Sequence, residues 1–329
     1  MKKKLLAALL TGAMVMGLMA CGNKPAEPSK EEPVAEEEVG TLEEESADKI
    51  VIGVAMKTLS DEFPKQIATA IEEKAAEMGN VEVLINDAQA DIATQLEQVE
   101  NLIAQKVDAI ILNPQDADGL NSAVESCVAA NIPIILCNTR TNNTDYNCFV
   151  GSRDVEAGEI QGNFIKEKLG GEGQIAIMQG VMGQSGQIDR LEGQYNSLVN
   201  ACEGIEVVAE QTANWQRDEA MSLAENWILS YPDLKAIMCH NDDMALGAYE
   251  AVKDAGKEDS ILVVGVDAIP EALESVEAGG LACTVFQDAK GQGVGALEAA
   301  VSIVNGETVE KEIAIPFQLV TKENVADFK

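Results

Sequence analysis

The chain has 329 residues and a formal net charge of −33, with 46% hydrophobic and only 4% aromatic residues. So acidic a chain lacks the basic surface that displaces counterions from phosphates, which excludes a nucleic-acid binder. A single His, His240, excludes multi-histidine metal sites and argues against a Ser-His-Asp or Cys-His enzyme, while seven Cys without a C-x-x-C spacing make no disulfide scaffold.

In chain order, Met1 and three Lys precede an uncharged, mostly apolar run from Leu5 to Ala20. The run is too short for a comfortable membrane span, and residues 1–20 read as a secretory signal. It ends in Leu18-Met19-Ala20-Cys21, which resembles the lipobox of bacterial lipoproteins and implies that Cys21 carries the lipid; a plain signal peptide beside a chance Cys is the alternative. Residues 21–49 are rich in Glu, Pro, Ala and Ser. From Gly22 to Lys49 they hold ten acids against three Lys, which predicts a disordered acidic tether. A lipid, a tether and then a soluble body predict an extracytoplasmic protein held on the cell membrane by Cys21 without crossing it.

From Ile50 onward, short apolar runs alternate with amphipathic helices. Ile50–Ala55, Val81–Ile85, Ala109–Leu112 and Pro133–Leu136 read as buried parallel strands, with Ile92, Leu96, Val99 and Ile103 marking a helix between the second and third. The pattern restarts with Gln174–Met178, Ile205–Val208, Leu234–Met238 and Ile261–Val266. Alternation repeated twice predicts an α/β protein of two doubly wound, parallel-sheet lobes.

Ligands of such sheets bind beyond the carboxyl ends of the strands. Those ends carry Asp61 with Phe63, Asn138-Thr139-Arg140, the segment from Gly180 to Arg190, Trp215 with Arg217, Asn241-Asp242-Asp243, and Asp267. Carboxylates, amides and Arg suit sugar hydroxyls, and aromatics suit the C–H faces of a ring.

The order of these segments resembles the periplasmic sugar-binding proteins of bacterial ABC importers, the ribose and galactose/glucose binders in particular. Asn241 to Ala248 and Val264 to Leu273 carry the most specific part of the likeness. The resemblance implies a type I two-lobe fold with a three-crossing hinge: residues 50–152 plus 286–316 in the first lobe, 153–285 plus 317–329 in the second. It implies ligand contacts at Asp61, Phe63, Asn138, Arg190, Trp215, Asn241, Asp267 and Gln287, with Arg140 and Gln184 as further candidates. Departures from the pattern at Gln184 and Gly186, where the galactose/glucose binder has His and Asp, leave the ligand class firmer than its identity. That binder's calcium loop has no counterpart in Leu169–Gly173.

Each residue also has a plainer reading. Asn241 and Asp267 are favoured helix N-caps, Phe63 and Trp215 could be core, and Arg190 could form a surface ion pair. Asp116-Ala117-Asp118-Gly119 with Glu125 imitates part of a calcium loop, but Pro114 occupies its first ligand position, so helix capping is expected there and no metal. The six body cysteines read as buried thiols, with a Cys137–Cys148 bridge left open. The function expected is a non-enzymatic, monomeric receptor without cofactor that delivers a monosaccharide, preferably a galactose- or glucose-like aldohexose, to an ABC permease. A sensor for ribose, inositol or a sugar-like signal is the alternative. Acid/base chemistry on sugars by Asp61 and Asp267 ranks third.

Overall fold

The computed structural model describes residues 49–329; the signal segment, Cys21 and the tether up to residue 48 lie outside the described residues. Two parallel sheets form the frame. The first contains β1 (Ile50–Met56), β2 (Val81–Asp87), β3 (Ala109–Leu112), β4 (Ile134–Cys137), β5 (Cys148–Gly151) and β11 (Glu312–Ala314), in the order β11-β5-β4-β3-β1-β2. The second contains β6 (Glu172–Gln179), β7 (Gly204–Thr212), β8 (Leu234–Cys239) and β9 (Leu262–Val264), in the order β7-β6-β8-β9. An antiparallel pair, β10 (Thr284–Phe286) with β12 (Gln318–Val320), extends the second sheet through parallel bridges from Val264 to Cys283 and from Asp267 to Phe286.

The strands form where β-branched runs can be buried on both faces. Ile110, Ile111, Ile134 and Ile135 are wholly buried, each worth ~1.5–3 kcal/mol of transfer free energy. The helices that cover them are α1 (Glu62–Met78), α2 (Ile92–Gln105), α3 (Asn121–Ala130) and α9 (Ala289–Val304) around the first sheet. Around the second lie α4 (Asp154–Leu169), α5 (Ser185–Gln194), α6 (Arg217–Ser230), α7 (Asp242–Asp254) and α8 (Pro270–Ala278). In α2 the stripe expected at Ile92, Leu96, Val99 and Ile103 is rotated. Val99 and Leu102 are buried and Ile92 lies at the exposed edge, because the buried amide of Gln95 takes the inward position instead.

The chain passes from the first sheet to the second between β5 and α4, returns between β10 and α9, and passes again between β11 and β12. All six body cysteines are free thiols, so the Cys137–Cys148 bridge is not formed: Cys148 faces Ile135 in the β4–β5 register, while Cys137 faces Val150. The calcium-like stretch is a turn, in which Asp116 Oδ1 accepts hydrogen bonds from Asp118 N at 3.0 Å and Gly119 N at 2.6 Å.

Candidate functional site

The carboxyl ends of the two sheets face each other across a cavity of about 500 Å³, mouth included. Asp61, Phe63, Asn138, Arg190, Trp215, Asn241, Asp267, Gln287 and Gln184 all line it. The exception among the candidates is Arg140. It follows Asn138, whose φ of 67° turns the strand end, and its guanidinium pairs with Asp189 and lies 5.4 Å from the Phe149 ring centre. Arg140 thus makes a contact between the two strand-end faces and is not among the residues that line the cavity.

Arg190 is the hub of the second side. Its Nε donates to Asp154 Oδ1 at 2.8 Å, Nη1 donates to the carbonyl of His240 and lies 3.8 Å from Asp267 Oδ1, and Nη2 donates to Gln287 Oε1 at 3.1 Å. The surface-pair reading of Arg190 fails, since only 6% of its side chain is exposed. Because Arg190 holds Gln287 by its carbonyl oxygen, the amide nitrogen is the group left over. Gln287 Nε2 is buried with no hydrogen-bond partner, an arrangement that costs ~1–3 kcal/mol unless a ligand accepts from it.

Asp267 stands beside Arg190 with a φ of 121°, a conformation that side chains other than Gly rarely adopt. The segment is held there by backbone pairing, Asp267 N donating to Val285 O at 2.8 Å and Gln287 N to Asp267 O at 3.3 Å. Asn138 and Trp215 also have positive φ, so three side chains at the pocket sit on backbone strained for their position. Burial lifts the Asp267 carboxyl to about 7 against the lowering pull of Arg190. Asp267 caps no helix, as α8 begins after Ile269. Asn241 is a cap, its Oδ1 accepting from Met244 N at 3.0 Å, yet it also lines the pocket and its Nδ2 donates to Trp215 O at 3.3 Å.

Trp215 lies over Gly180, where an ideal Cβ would sit 2.0 Å from the indole ring, so only Gly admits the ring there. The indole is 9% exposed and its Nε1 donates to Gln184 Oε1 at 3.0 Å, so it belongs to the second core and to the pocket wall at once. Phe63, on the first turn of α1, likewise packs on the first core and lines the cavity.

Thr139 and Asp243, which the sequence offers only within strand-end segments, also line the pocket, and so do Lys57 and Asp154, which it does not single out. Lys57 is the most consequential. It directly follows β1, is 7% exposed, and its Nζ donates to Gln184 Oε1 at 3.0 Å across the cleft. Burial lowers its pKa to about 8 despite the raising effect of Asp61. Burial also raises Asp61, whose Oδ1 accepts from Gln216 Nε2 at 3.2 Å. Phe63, Trp215, two cations and several under-solvated carboxylates around one small cavity form a binding surface for a compact ring rich in hydroxyls.

A model of the periplasmic binding protein domain matches residues 52–308. The chain belongs to the periplasmic binding protein family. It is 38% identical to a rhizopine-binding protein of Rhizobium meliloti over 84% of this chain and 92% of that one. It is 35% identical to the ribose import binding protein of Bacillus subtilis over 98% of this chain and all of the other. The crystal structure of an ABC transporter solute-binding protein from Bacillus halodurans with bound myo-inositol superposes with a TM-score of 0.83 at 42% identity, covering 87% of this chain and 98% of that one. These relatives are binding proteins rather than enzymes, which sets aside acid/base catalysis by Asp61 and Asp267. Membership of the family implies an extracytoplasmic location, and no helix among the described residues is long and apolar enough to cross a membrane.

Proposed function

We propose that this periplasmic binding protein captures an uncharged, polyhydroxylated ring between two lobes, residues 50–152 plus 286–316 and 153–285 plus 317–329, and presents it to an ABC permease. The observation that carries the reading is the buried, unpartnered Gln287 Nε2 beside Asp267 and Arg190 in a cavity walled by Phe63 and Trp215. A hydroxyl of the ligand accepts from Gln287, others donate to Asp267 and Asp61, and the two aromatics face opposite sides of the ring. The likeness to a protein with bound myo-inositol at 42% identity moves inositol, first held as an alternative, to the head of the ligands to try, with galactose- and glucose-like aldohexoses next. Ribose, the ligand named for the Bacillus subtilis relative, follows.

Calorimetry and thermal shift over myo-inositol, D-galactose, D-glucose, D-ribose, D-allose and xylitol test the proposal. A dissociation constant near micromolar, about −8 kcal/mol, is expected for at least one ring. No shift with any of them at millimolar concentration overturns the sugar reading. The membrane attachment is separable: Cys21→Ser should move the protein from the membrane fraction to the medium or periplasm with sugar affinity unchanged, and equal retention of variant and wild type overturns a lipid at Cys21.

A further inference from the structure

Arg190 and Asp154 come from different helices, α5 and α4, whose axes meet at two glycines. A Cβ placed on Gly158 would lie 2.1 Å from the carbonyl oxygen of Arg190 and 2.9 Å from the Cα of Gly193. One placed on Gly193 would lie 2.1 Å from the carbonyl oxygen of Val155, the neighbour of Asp154, and 2.9 Å from the Cα of Gly158. The contact is reciprocal and made of backbone, so no side chain can move aside to admit a methyl group. Beside the crossing, Gln194 Nε2 donates to Gln161 Oε1 at 2.7 Å, and Gln161 Nε2 donates to the carbonyls of Cys239 and Gly265 at 2.8 and 3.0 Å, tying the crossing to β8 and to the end of β9.

We propose that the Gly158–Gly193 crossing is the positioning device of the ligand site: it sets the register in which the Arg190 guanidinium meets Asp154 and turns the Gln287 amide nitrogen, buried and unpartnered, toward the cavity. The inference rests on the proposed function for its ligand, but its register has a readout of its own. Relieving a 2.1 Å approach requires a shift of about 1 Å, since carbon and oxygen not bonded to each other settle at roughly 3.3 Å or more. Such a shift is too large for hydrogen bonds of 2.8 and 3.1 Å to survive unchanged.

The test combines affinity with a double-mutant cycle. Gly158→Ala and Gly193→Ala should each weaken binding of the best ring from the panel above by about 10- to 100-fold, the loss of one charge-assisted hydrogen bond or more. Gly53→Ala, whose Cβ would meet the Leu102 methyls at 2.8 Å in the first lobe's core, should lower the melting temperature and leave affinity within twofold. On an Arg190→Lys background, Gly158→Ala should add less than twofold, since the register then has no guanidinium to place. Penalties that multiply on that background, or a Gly158→Ala variant that binds as wild type, overturn the proposal. The readout independent of any ligand is the Arg190 Nε–H proton of the wild type in nitrogen-edited NMR. Slow exchange with water in the free protein is expected of a guanidinium held in register, and fast exchange overturns it even if no sugar binds or the glycine variants fail to fold.

Discussion

The strand ends on the two sides of the cavity are stabilised by different chemistry. Behind the first side, apart from Lys57 at the cavity wall, the buried polar groups are neutral amides and hydroxyls. Gln95 Nε2 donates to the carbonyls of Ala55 and Asn113, Asn113 Nδ2 to the hydroxyl of Thr139 at 2.9 Å, Asn138 Nδ2 to Gln292 Oε1 at 3.2 Å, and Gln292 Nε2 to the Ser152 hydroxyl at 3.1 Å. Behind the second side, the equivalent bracing amide Gln161 sits among titratable groups: the Arg190–Asp154 ion pair, buried Asp242 accepting from Thr284 and Ile269, and neutral His240. Amides satisfy strand carbonyls and fix geometry without a desolvation penalty for charge. A buried ion pair fixes a charge in place but leaves each partner exposed to the loss of the other. The first side is thus a tolerant frame, and the second concentrates both affinity and fragility.

The largest test of that contrast is Asp154→Ala, which leaves the buried guanidinium of Arg190 without its 2.8 Å partner. A loss of about 3–5 kcal/mol in stability by urea denaturation is expected, against about 1–3 kcal/mol for Asn113→Ala in the neutral network. Equal losses would erase the distinction between the sides. Binding follows at about 2–4 kcal/mol: Trp215→Ala removes the indole face and its bond to Gln184, and an unchanged calorimetric dissociation constant would leave Trp215 a core residue only.

The frame was far more legible in the sequence than the charges behind the second side. Parallel strands buried on both faces write themselves as runs such as Ala109–Leu112, whose limits coincide with β3. The missed strands, β5, β10, β11 and β12, have three or four residues each, too few to carry a period of their own. Lys57 was missed for another reason. A Lys directly after an apolar run signals a strand reaching water, and its burial depends on Gln184, which lies 127 residues away at the start of α5 on the other side of the cleft. Asp154 likewise reads as an ordinary first-turn acid, and only the crossing of α4 with α5 makes it the partner of Arg190.

The acid response separates the two sides more finely. Asp267 is raised from 3.8 to about 7 by burial, so the folded state holds its proton more tightly than the unfolded chain does. Its contribution is full below about pH 4 and lost as pH rises toward 7. His240 is lowered from 6.5 to about 3, first by burial and then by Arg190, so its contribution is full above pH 6.5 and lost as pH falls toward 3. Between pH 4 and 6.5 the slopes oppose, and His240→Gln removes one of them. The variant should lose stability steadily from pH 4 to 7, while the wild type stays flatter over that range. Parallel urea-midpoint profiles would show that the buried charges of the second side do not set the pH response.

The smallest effect is expected where the sides meet outside the cavity. Arg140 pairs with Asp189 across the cleft, with 36% and 17% of the two side chains exposed, and its backbone N donates to Ser185 Oγ at 2.9 Å. The ion pair is partly solvated, and such pairs contribute ~0–1 kcal/mol once water and salt screen them. Arg140→Ala should therefore weaken sugar binding by less than about threefold, and the difference should vanish in half-molar salt. A loss of tenfold or more that persists in salt would mean that the guanidinium reaches the ligand when bound, returning Arg140 to the site beside Lys57 and Asp61.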